Sequence, residues 1–489
     1  MALALVLGIP LLTALVCLAP LPRRGLAWFQ IAGALGTLAA GLAVVYQVFA
    51  RGPLLALDGA LHVDALAGLL MGVIVVVSFL AALYSVGYLE REAAHTPGHS
   101  PAVGWYFAGF HLFVGTMLLT SAVNNLGLLW VAVEATTIVS APLVGFTRTK
   151  AALEAAWKYL ILCSVGITFA LFGVLLTYYA AVHALGGEAS LNWTALMARS
   201  AELDAGVMRL AFVFIIIGFG TKAGFAPLHA WLPDAHSQAP SPISALLSGV
   251  LLNCALYAIL RFHLLTVGAV GPEFSAGLLL GFGLFSVALA VPFLLVQRDV
   301  KRLLAYSSME HIGIIAIAVG IGGSVGLYAG LLHLVNHALA KALLFFVAGN
   351  LVQRYGTRRI AAIHGVVQAA PLTGALLLLG TIAITGLPPS GVFLTELGII
   401  SAGFGQGKAL ASAALIGLLA LVFAGMFRHV AGMAFGYPSK PSPPTKRDAF
   451  GMLAVTLPAA GMLCLGVYVP PPVTYALQAT ANLLLGGRP

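Results

Sequence analysis

The amino-acid sequence predicts an all-α polytopic membrane protein with about 14 transmembrane helices. Hydrophobic residues make up 61% of its 489 residues and charged residues only 8%, whereas ordinary globular proteins carry about 25% charged residues. The mean hydropathy is +1.02. Because little polar surface remains to face water, a chain of several soluble domains is excluded, and a single membrane domain over residues 1–489 is expected.

Individual spans are marked by apolar runs of about 20 residues separated by polar segments. Their predicted starts are residues 2, 25, 65, 104, 125, 156, 206, 241, 275, 302, 325, 370, 409 and 451. The first run lacks a basic start and is followed by Arg23 and Arg24. We therefore interpret it as a span and not as a cleaved signal peptide.

Positive charges support this count and give an orientation. Of 24 Lys and Arg residues, fifteen fall in odd-numbered connections, and six fall in even-numbered connections or the tail. The six are Arg51, Arg199, Arg209, Arg261, Lys408 and Arg488. This bias predicts odd connections in the cytoplasm and both termini outside, which requires an even number of spans. The other three, Lys158, Lys222 and Lys341, lie inside apolar runs.

The sequence offers no ligand set for a cofactor or a metal. Its four cysteines are more than 80 residues apart and no Cys-x-x-Cys occurs, which argues against iron–sulfur or nickel–iron ligation. No nucleotide-binding glycine motif is present either. The scattered basic residues indicate contacts with anionic lipid and not with nucleic acid. We therefore expect no cofactor in this chain, and any redox chemistry belongs to partners.

Helix-breaking residues interrupt two of the predicted spans. Gly and Pro surround Lys222 between Gly218 and Pro227, and the sequence TGLPPSG at residues 385–391 precedes Glu396. Paired interruptions five spans apart predict an internal repeat in which each half carries a broken helix. Unwound backbone at that depth is tolerated only beside a polar or protein-lined cavity, so both interruptions should flank polar sites.

Six charged residues are predicted to lie within the hydrocarbon: Glu134, Lys158, Lys222, Glu310, Lys341 and Glu396. Each costs about 2.5–3.5 kcal/mol at the centre of a span. Their combined cost exceeds the net stability of a typical protein, which is about 5–15 kcal/mol. These groups must therefore be paired or hydrated, and we interpret them as a proton pathway.

The eleventh run places His333, His337 and Lys341 at intervals of four residues. On a helix they form one stripe about 12 Å long. A histidine can receive a proton on one ring nitrogen and release it from the other, so the stripe can relay protons. The alternative is that these histidines only bond neighbouring helices. Three titratable groups on one face favour the relay.

Lys222 and Glu134 indicate how movement of the Glu134 carboxylate can be coupled to protonation of the Lys222 amine. Burial favours the neutral amine of a lysine, and a nearby carboxylate restores its charged form. The alternative is a static ion pair that fixes helix register. Lys158 follows an acid by four residues, so a surface ion pair and a pathway role are both open. Glu310 with His311 is either a proton uptake site or a bundle contact.

Three segments resemble a known family. Residues 220–242, GTKAGFAPLHAWLPDAHSQAPSP, are similar to the signature of the antiporter-like subunits shared by respiratory complex I, Mrp-type cation/proton antiporters and group 4 membrane-bound hydrogenases. Residues 302–308 and 333–345 agree with it in the same order, and the resemblance covers nearly the whole chain. Other motifs, such as VEATT at residues 133–137, are most similar to the F-type component of hydrogenase-4 and formate hydrogenlyase complexes.

The resemblance implies 14 helices, two inverted five-helix repeats and a polar axis along the membrane midplane. It divides the chain into N-terminal helices at residues 1–103, a first repeat at 104–270, a second repeat at 271–435 and a last helix at 436–489. Each repeat contains one of the broken helices.

Pathway residues carried over by motif are Glu134, Lys222, His333, His337, Lys341 and Glu396, and further candidates are Lys158, His229, Asn253, Glu310 and His311. Glu134 and Lys222 would be the coupling pair of the first half, and the stripe of the eleventh run would be the central relay. Glu396 would be the terminal group. Asn253 stands where complex I relatives commonly carry Lys or His, so transfer between the halves would need water or another side chain.

The implied function is that of a proton- or cation-translocating subunit of a membrane-bound hydrogenase or complex I-like oxidoreductase, in a bacterial or archaeal cytoplasmic membrane. Its implied partners are paralogous antiporter-like and other membrane subunits, lipids, and a soluble arm with iron–sulfur and nickel–iron or quinone-reducing subunits. The alternatives are an autonomous Na+/H+ antiporter of Mrp type and a membrane scaffold that does not pump. Three buried lysines argue against a pure scaffold.

Overall fold

The helices within the described residues account for the fourteen predicted spans. The computed structural model describes residues 1–20, 22–95, 103–186, 190–437 and 448–486. Within these ranges, twelve helices are long and apolar enough to span a membrane. Two further passes are made by the shorter helix Ala2–Cys17 and by the interrupted pair Pro371–Ile384 and Gly391–Gly405. The fold class predicted from composition is confirmed.

The helices in chain order are α1 (Ala2–Cys17), α2 (Arg23–Arg51), α3 (Ala65–His95), α4 (Val103–Ala122), α5 (Leu126–Val144), α6 (Lys150–Leu185), α7 (Trp193–Ala198), α8 (Ala205–Ala223), α9 (Leu232–Gln238), α10 (Ser241–Leu246), α11 (Leu252–Val270), α12 (Pro272–Val296), α13 (Val300–Ile321), α14 (Gly323–Tyr355), α15 (Val366–Ala369), α16 (Pro371–Ile384), α17 (Gly391–Gly405), α18 (Ala409–Ala434), α19 (Ala449–Val467) and α20 (Pro471–Leu484). A π-helical turn, Leu247–Leu251, joins α10 to α11. Strands β1 (Leu54–Ala56) and β2 (Leu61–Val63) form an antiparallel hairpin between α2 and α3.

Predicted and observed starts of the spans agree closely. The largest difference is at α6, which is predicted from residue 156 and begins at Lys150. Its first five residues include Lys150 and Glu154, and hydropathy assigns such charged residues to a connection. The helix nevertheless begins there because the Thr149 hydroxyl accepts a hydrogen bond from the Ala152 N–H at 3.1 Å. The hairpin, α7 and α20 were not predicted, since none of them produces a long apolar run.

Of the six basic residues that the charge count assigns to even-numbered connections or the tail, Arg209 and Arg261 lie well inside helices. Arg209 belongs to α8 and Arg261 to α11. The buried Arg261 guanidinium donates to both carboxylate oxygens of Asp64, at 2.5 and 2.7 Å, and lies 4.3 Å from the Trp193 ring centre. Burial opposes the charge of Asp64, but the guanidinium prevails and lowers the pKa of this carboxyl. Arg261 is thus a buried link and not a topology signal; Arg488 lies outside the described residues.

The centre of the bundle is formed by three neighbouring passes. These are Ser241–Val270, α13 and α14, which are almost entirely buried, whereas α6, α12, α18 and α19 lie at the periphery. Small residues let the backbones approach closely, since a Cβ added at Gly283 would lie 2.6 Å from the carbonyl oxygen of Gly313. The three central passes carry most of the candidate site residues, and the fold therefore keeps these polar groups away from lipid.

Both predicted interruptions are present, one in residues 224–231 and the other in residues 385–390. Helix α8 ends at Gly224 with φ +82°, a left-handed conformation that glycine adopts without a steric penalty. The Trp231 indole N–H donates to the freed carbonyl of Thr221 at 2.8 Å. In the second interruption Gly386 has φ +67°, and the Ser390 side chain caps α17. Side chains thus replace the lost helical hydrogen bonds.

Candidate functional site

Lys222 lies in the last turn of α8, beside the first interruption, and is 1% exposed. Its Nζ donates hydrogen bonds to Thr137 Oγ1 and to Tyr159 OH, both at 2.7 Å. Thr137 Oγ1 donates in turn to Glu134 Oε2 at 3.1 Å. We call Glu134, Thr137, Tyr159 and Lys222 the lysine cluster. Lys222 and Glu134, which the sequence pairs, are therefore connected through one hydroxyl group.

Glu134 lies at the middle of α5, on the flank of the bundle. Its side chain is half-buried, and its Oε1 accepts a hydrogen bond from Ser164 Oγ at 2.6 Å. About one turn away on either side, Val131 and Ile138 are 50% and 59% exposed. A carboxylate at this depth is costly against hydrocarbon. The flank around Glu134 is therefore unusual among the apolar outer surfaces of the bundle.

A second cluster lies between α13, α14 and α17. His311 Nδ1 and His333 Nε2 are 2.8 Å apart, and His333 Nδ1 is 2.8 Å from Thr395 Oγ1. The ring centres of His337 and His311 are 5.3 Å apart. Lys341 Nζ donates to a backbone carbonyl of α13 at 3.0 Å. We call His311, His333, His337 and Lys341 the relay cluster, and all four are fully buried.

The relay cluster has the geometry for proton transfer. One ring nitrogen must donate and the other accept in the contact between His311 and His333, so a proton can pass directly between the two imidazoles. Neither ring nitrogen of His337 has a hydrogen-bond partner within the described residues. His337 therefore keeps both nitrogens available for a proton or a water molecule.

Two buried acids flank the relay cluster. Glu310 precedes His311 in α13, is 1% exposed, and its Oε2 has no hydrogen-bond partner among the described side chains. Glu396 follows Thr395 in α17 and is 6% exposed. A Cβ added at Gly386 would collide with the Glu396 carboxylate. The acid thus packs directly onto the second interruption, and only glycine fits opposite it.

Lys158 and His229 lie apart from both clusters. The Lys158 amine is 47% exposed and forms ion pairs with Glu154 at 2.5 Å and Asp234 at 3.4 Å. Pairs this exposed contribute little stability. The His229 ring packs 6.0 Å from the ring centre of Phe293. The geometry at Lys158 matches the surface ion pair more closely than a place in the buried pathway.

Asn253 is fully buried near the π-helical turn of the central pass. Its Nδ2 donates to the Gly249 carbonyl at 2.8 Å, while its Oδ1 has no hydrogen-bond partner within the described ranges. Its helix, α11, packs against α8, which carries Lys222. Asn253 thus lies near the lysine cluster but offers no group that titrates.

His236, which sequence reasoning missed, lies between the two clusters. It is fully buried, and neither ring nitrogen has a hydrogen-bond partner in the described part of the chain. Its ring stacks on Phe345 with centres 5.2 Å apart, and it lies 6.4 Å from Trp231. Trp231 packs against Tyr159 at 4.7 Å. The rings of Trp231, His236 and Phe345 thus connect the lysine cluster to α14, where Phe345 lies one turn beyond Lys341.

The signal for His236 was present in the sequence. It follows Asp234 by two residues within the segment that carries the first interruption, and an ionisable group inside a membrane bundle is a functional candidate by default. Thr137 and Tyr159 were not recognisable in this way, because their roles depend on contacts with a lysine 63 to 85 residues away along the chain.

Buried lysines, histidines and acids beside two interrupted helices define an ion-translocating class of membrane protein. Residues 123–423 match the family described as NADH:quinone oxidoreductase/Mrp antiporter, TM, and residues 51–96 match the N-terminus of chain 5 of NADH-ubiquinone oxidoreductase (complex I). The chain therefore belongs to the antiporter-like membrane subunits of the complex I and Mrp family. The resemblance stated from its motifs is confirmed.

Individual relatives agree with this assignment. The chain is 42% identical over 410 residues to the hydrogenase-4 component F homolog of Methylacidiphilum infernorum (isolate V4), covering 83% of this chain and 85% of that protein. A chain of the membrane-bound sulfane sulfur reductase, an archaeal respiratory membrane complex, superimposes with a TM-score of 0.86 at 28% identity, covering 99% and 97% of the two chains. A chain of the Mrp complex from Dietzia sp. DQ12-45-1b shares the fold, with a TM-score of 0.83 at 22% identity and coverage of 99% and 97%.

Proposed function

We propose that this chain is a proton-translocating subunit of a membrane-bound oxidoreductase complex of the hydrogenase or complex I type. The observation that carries the proposal is the pair of buried clusters, each beside an interrupted helix. One cluster holds a lysine bonded through a hydroxyl to a carboxylate, and the other holds neighbouring histidines with a second lysine. Neither set has a structural use that apolar residues could not meet.

The lysine cluster supplies the coupling step. With Glu134 in place, its carboxylate stabilises the Lys222 ammonium through the Thr137 hydroxyl. When an outside charge draws Glu134 away, the Lys222 ammonium loses the attraction of the carboxylate but remains shielded from water. Its charged form is then unfavourable, and Lys222 releases its proton. Moving one charge against 100 mV takes about 2.3 kcal/mol. Changing one buried ion interaction can release a free energy of this size.

The released proton then passes to the relay cluster. His236 stacks on Phe345, one turn beyond Lys341, and lies on the ring-lined side of Lys222, so it can serve where Asn253 cannot. From Lys341, the His337 and His333 imidazoles lead towards Thr395 and the terminal acid Glu396. Direct hydrogen bonds do not join the two clusters within the described residues, so transfer between them requires water or side-chain rotation.

A polar neighbour covering Glu134 completes this proposal. The half-buried carboxylate at the middle of α5 needs a partner that lipid cannot provide. A paralogous antiporter-like subunit, with its own terminal buried charge, has the chemistry to supply the charge that moves Glu134. Relatives of this chain are parts of multisubunit membrane complexes, which supports a neighbour at this flank.

The arrangement in the membrane follows from the charge bias. We place both termini on the outer side of a bacterial or archaeal cytoplasmic membrane, because most Lys and Arg residues lie in odd-numbered connections. The electron-transfer centres are assigned to partner subunits of a soluble arm with iron–sulfur and nickel–iron or quinone-reducing components. This chain contributes ion movement, and its peripheral helices contact lipid.

Glu134→Gln tests the proposal in the assembled complex. Proton release into sealed vesicles, measured per electron transferred, is expected to fall by this subunit's share, while electron transfer continues at a reduced rate. The reason is that glutamine cannot supply the negative charge that Lys222 needs. Glu273→Gln, which changes an exposed acid at the start of α12, is the matched control and should leave the ratio unchanged.

Other outcomes separate the alternatives. An unchanged ratio of protons to electrons in Glu134→Gln would reject a translocating role for the lysine cluster and favour a scaffold. Sodium-driven proton movement in vesicles that contain only this chain would instead favour an autonomous antiporter. Both measurements use the same pH-sensitive dye inside the vesicles.

A further inference from the structure

A third group of buried polar atoms lies among α2, α3 and α4, away from both clusters. Gln30, Ser78 and His111 are 0%, 4% and 1% exposed. Each has one side-chain atom without a hydrogen-bond partner among the described residues, namely Gln30 Oε1, Ser78 Oγ and His111 Nε2. Buried polar atoms are almost always paired with protein or water, so three in one place require an explanation.

Hydrogen bonding to the backbone orients this group. The Gln30 amide donates to the Ala82 carbonyl at 3.2 Å. A neutral imidazole has one donor nitrogen and one acceptor nitrogen, and we take the unpaired Nε2 of His111 as the acceptor. The Ser78 hydroxyl still has its hydrogen to donate. An acceptor and a donor are therefore available at the same place.

A cavity lies at this group. It is lined by Thr37, Ser78 and His111, together with apolar residues that include Val75 and Val114, and its volume is about 10 Å³. That volume is about the room that one water molecule needs. A second cavity of similar size near Asn253 is lined mainly by leucines, and such apolar cavities remain dry. The polar lining distinguishes the cavity at His111.

We propose that this cavity binds one water molecule, which joins α2, α3 and α4 at mid-membrane. The water donates one hydrogen to His111 Nε2 and accepts the hydrogen of the Ser78 hydroxyl. Its second hydrogen is directed to the Thr37 oxygen, which donates its own hydrogen to the Gly33 carbonyl at 2.8 Å and can still accept. His111 Nε2 and Ser78 Oγ, the two unpaired atoms that line the cavity, then have partners, whereas Gln30 lies outside the lining.

The site is independent of the proposed proton pathway. Gln30, Thr37 and His111 lie outside both ranges that match the family, whereas Ser78 lies within residues 51–96, and none of the four belongs to either cluster. The bound water belongs instead to the packing of the N-terminal helices, where it supplies hydrogen bonds that side chains cannot make to one another. Loss of the water would loosen these helices without removing a group of either cluster.

Ser78→Ala distinguishes a hydrated cavity from a dry one by the sign of its effect. In a dry cavity, alanine removes a buried unpaired hydroxyl and raises the melting temperature of the full chain in detergent. In a hydrated cavity it removes a partner of the water, and we expect a fall of about 1–3 °C. Ser85→Ala on the same helix is the control, since its hydroxyl bonds the Ala81 carbonyl at 2.7 Å and must lower the melting temperature.

Direct observation of the water provides a second test. A high-resolution structure of the complex should show one density peak within hydrogen-bonding distance of both His111 Nε2 and Ser78 Oγ. An empty cavity in a map that shows ordered water elsewhere in the bundle would overturn the proposal. A rise in melting temperature for Ser78→Ala would overturn it as well.

Discussion

Lys222→Met is expected to stop proton translocation through this subunit while partner subunits continue to transfer electrons. Methionine has nearly the length of lysine but binds no proton, and it cannot donate to Thr137 or Tyr159. Groups that transfer protons contribute roughly 10²–10⁴-fold to rate, so the rate through this subunit should fall by roughly 10²-fold or more. The measurement is proton release per electron in sealed vesicles that contain the assembled complex.

A matched control separates this effect from a general loss of charge. Lys150→Met removes an exposed lysine at the start of α6, and it should leave both electron transfer and the proton ratio as in the wild type. If Lys222→Met also kept the wild-type ratio with a fully assembled complex, the lysine cluster would have no part in translocation.

Lys341→Met is expected to have an effect of similar size, for a different reason. The side chain is fully buried and bonds a backbone carbonyl of α13, so it is positioned to receive a proton and pass it along the histidines of α14. Its removal also leaves the Leu304 carbonyl without its hydrogen-bond donor. We therefore expect a proton ratio as low as that of Lys222→Met, together with a lower melting temperature.

Lys341→Arg tests whether the charge or the exchangeable proton of Lys341 matters. Arginine keeps the positive charge at this position but does not release its proton. A relay function predicts that Lys341→Arg assembles well and translocates as poorly as Lys341→Met. Recovery of the wild-type ratio by arginine would show that Lys341 acts only as a fixed charge.

The fold could be predicted from the sequence because lipid imposes a simple rule. Each span needs an apolar run of fixed length, and Lys222 and Glu396 stand out because they lie next to Gly and Pro inside such runs. Arg261 was misassigned for the same reason. Hydropathy places an arginine at a helix end in water, and only the structure shows that Asp64, nearly 200 residues earlier, is its partner.

The site was only partly predictable. The spacing of His333, His337 and Lys341 along one helix is visible in the sequence, since it depends on local geometry alone. The hydroxyl of Thr137 between Lys222 and Glu134 depends on how three helices pack, and no local pattern encodes it. His111 was overlooked because it is a single histidine, whose burial and unpaired Nε2 appear only in three dimensions.

The central claim is that the lysine cluster and the relay cluster form one pathway, and the proton-to-electron ratio of the double variant Lys222→Met/Lys341→Met tests it most directly. Two steps in series predict that the double variant loses no more than either single variant, because one missing step already stops the flow. Two separate routes predict that each single variant keeps part of this subunit's share and that the double variant loses the sum. That second result would contradict the account.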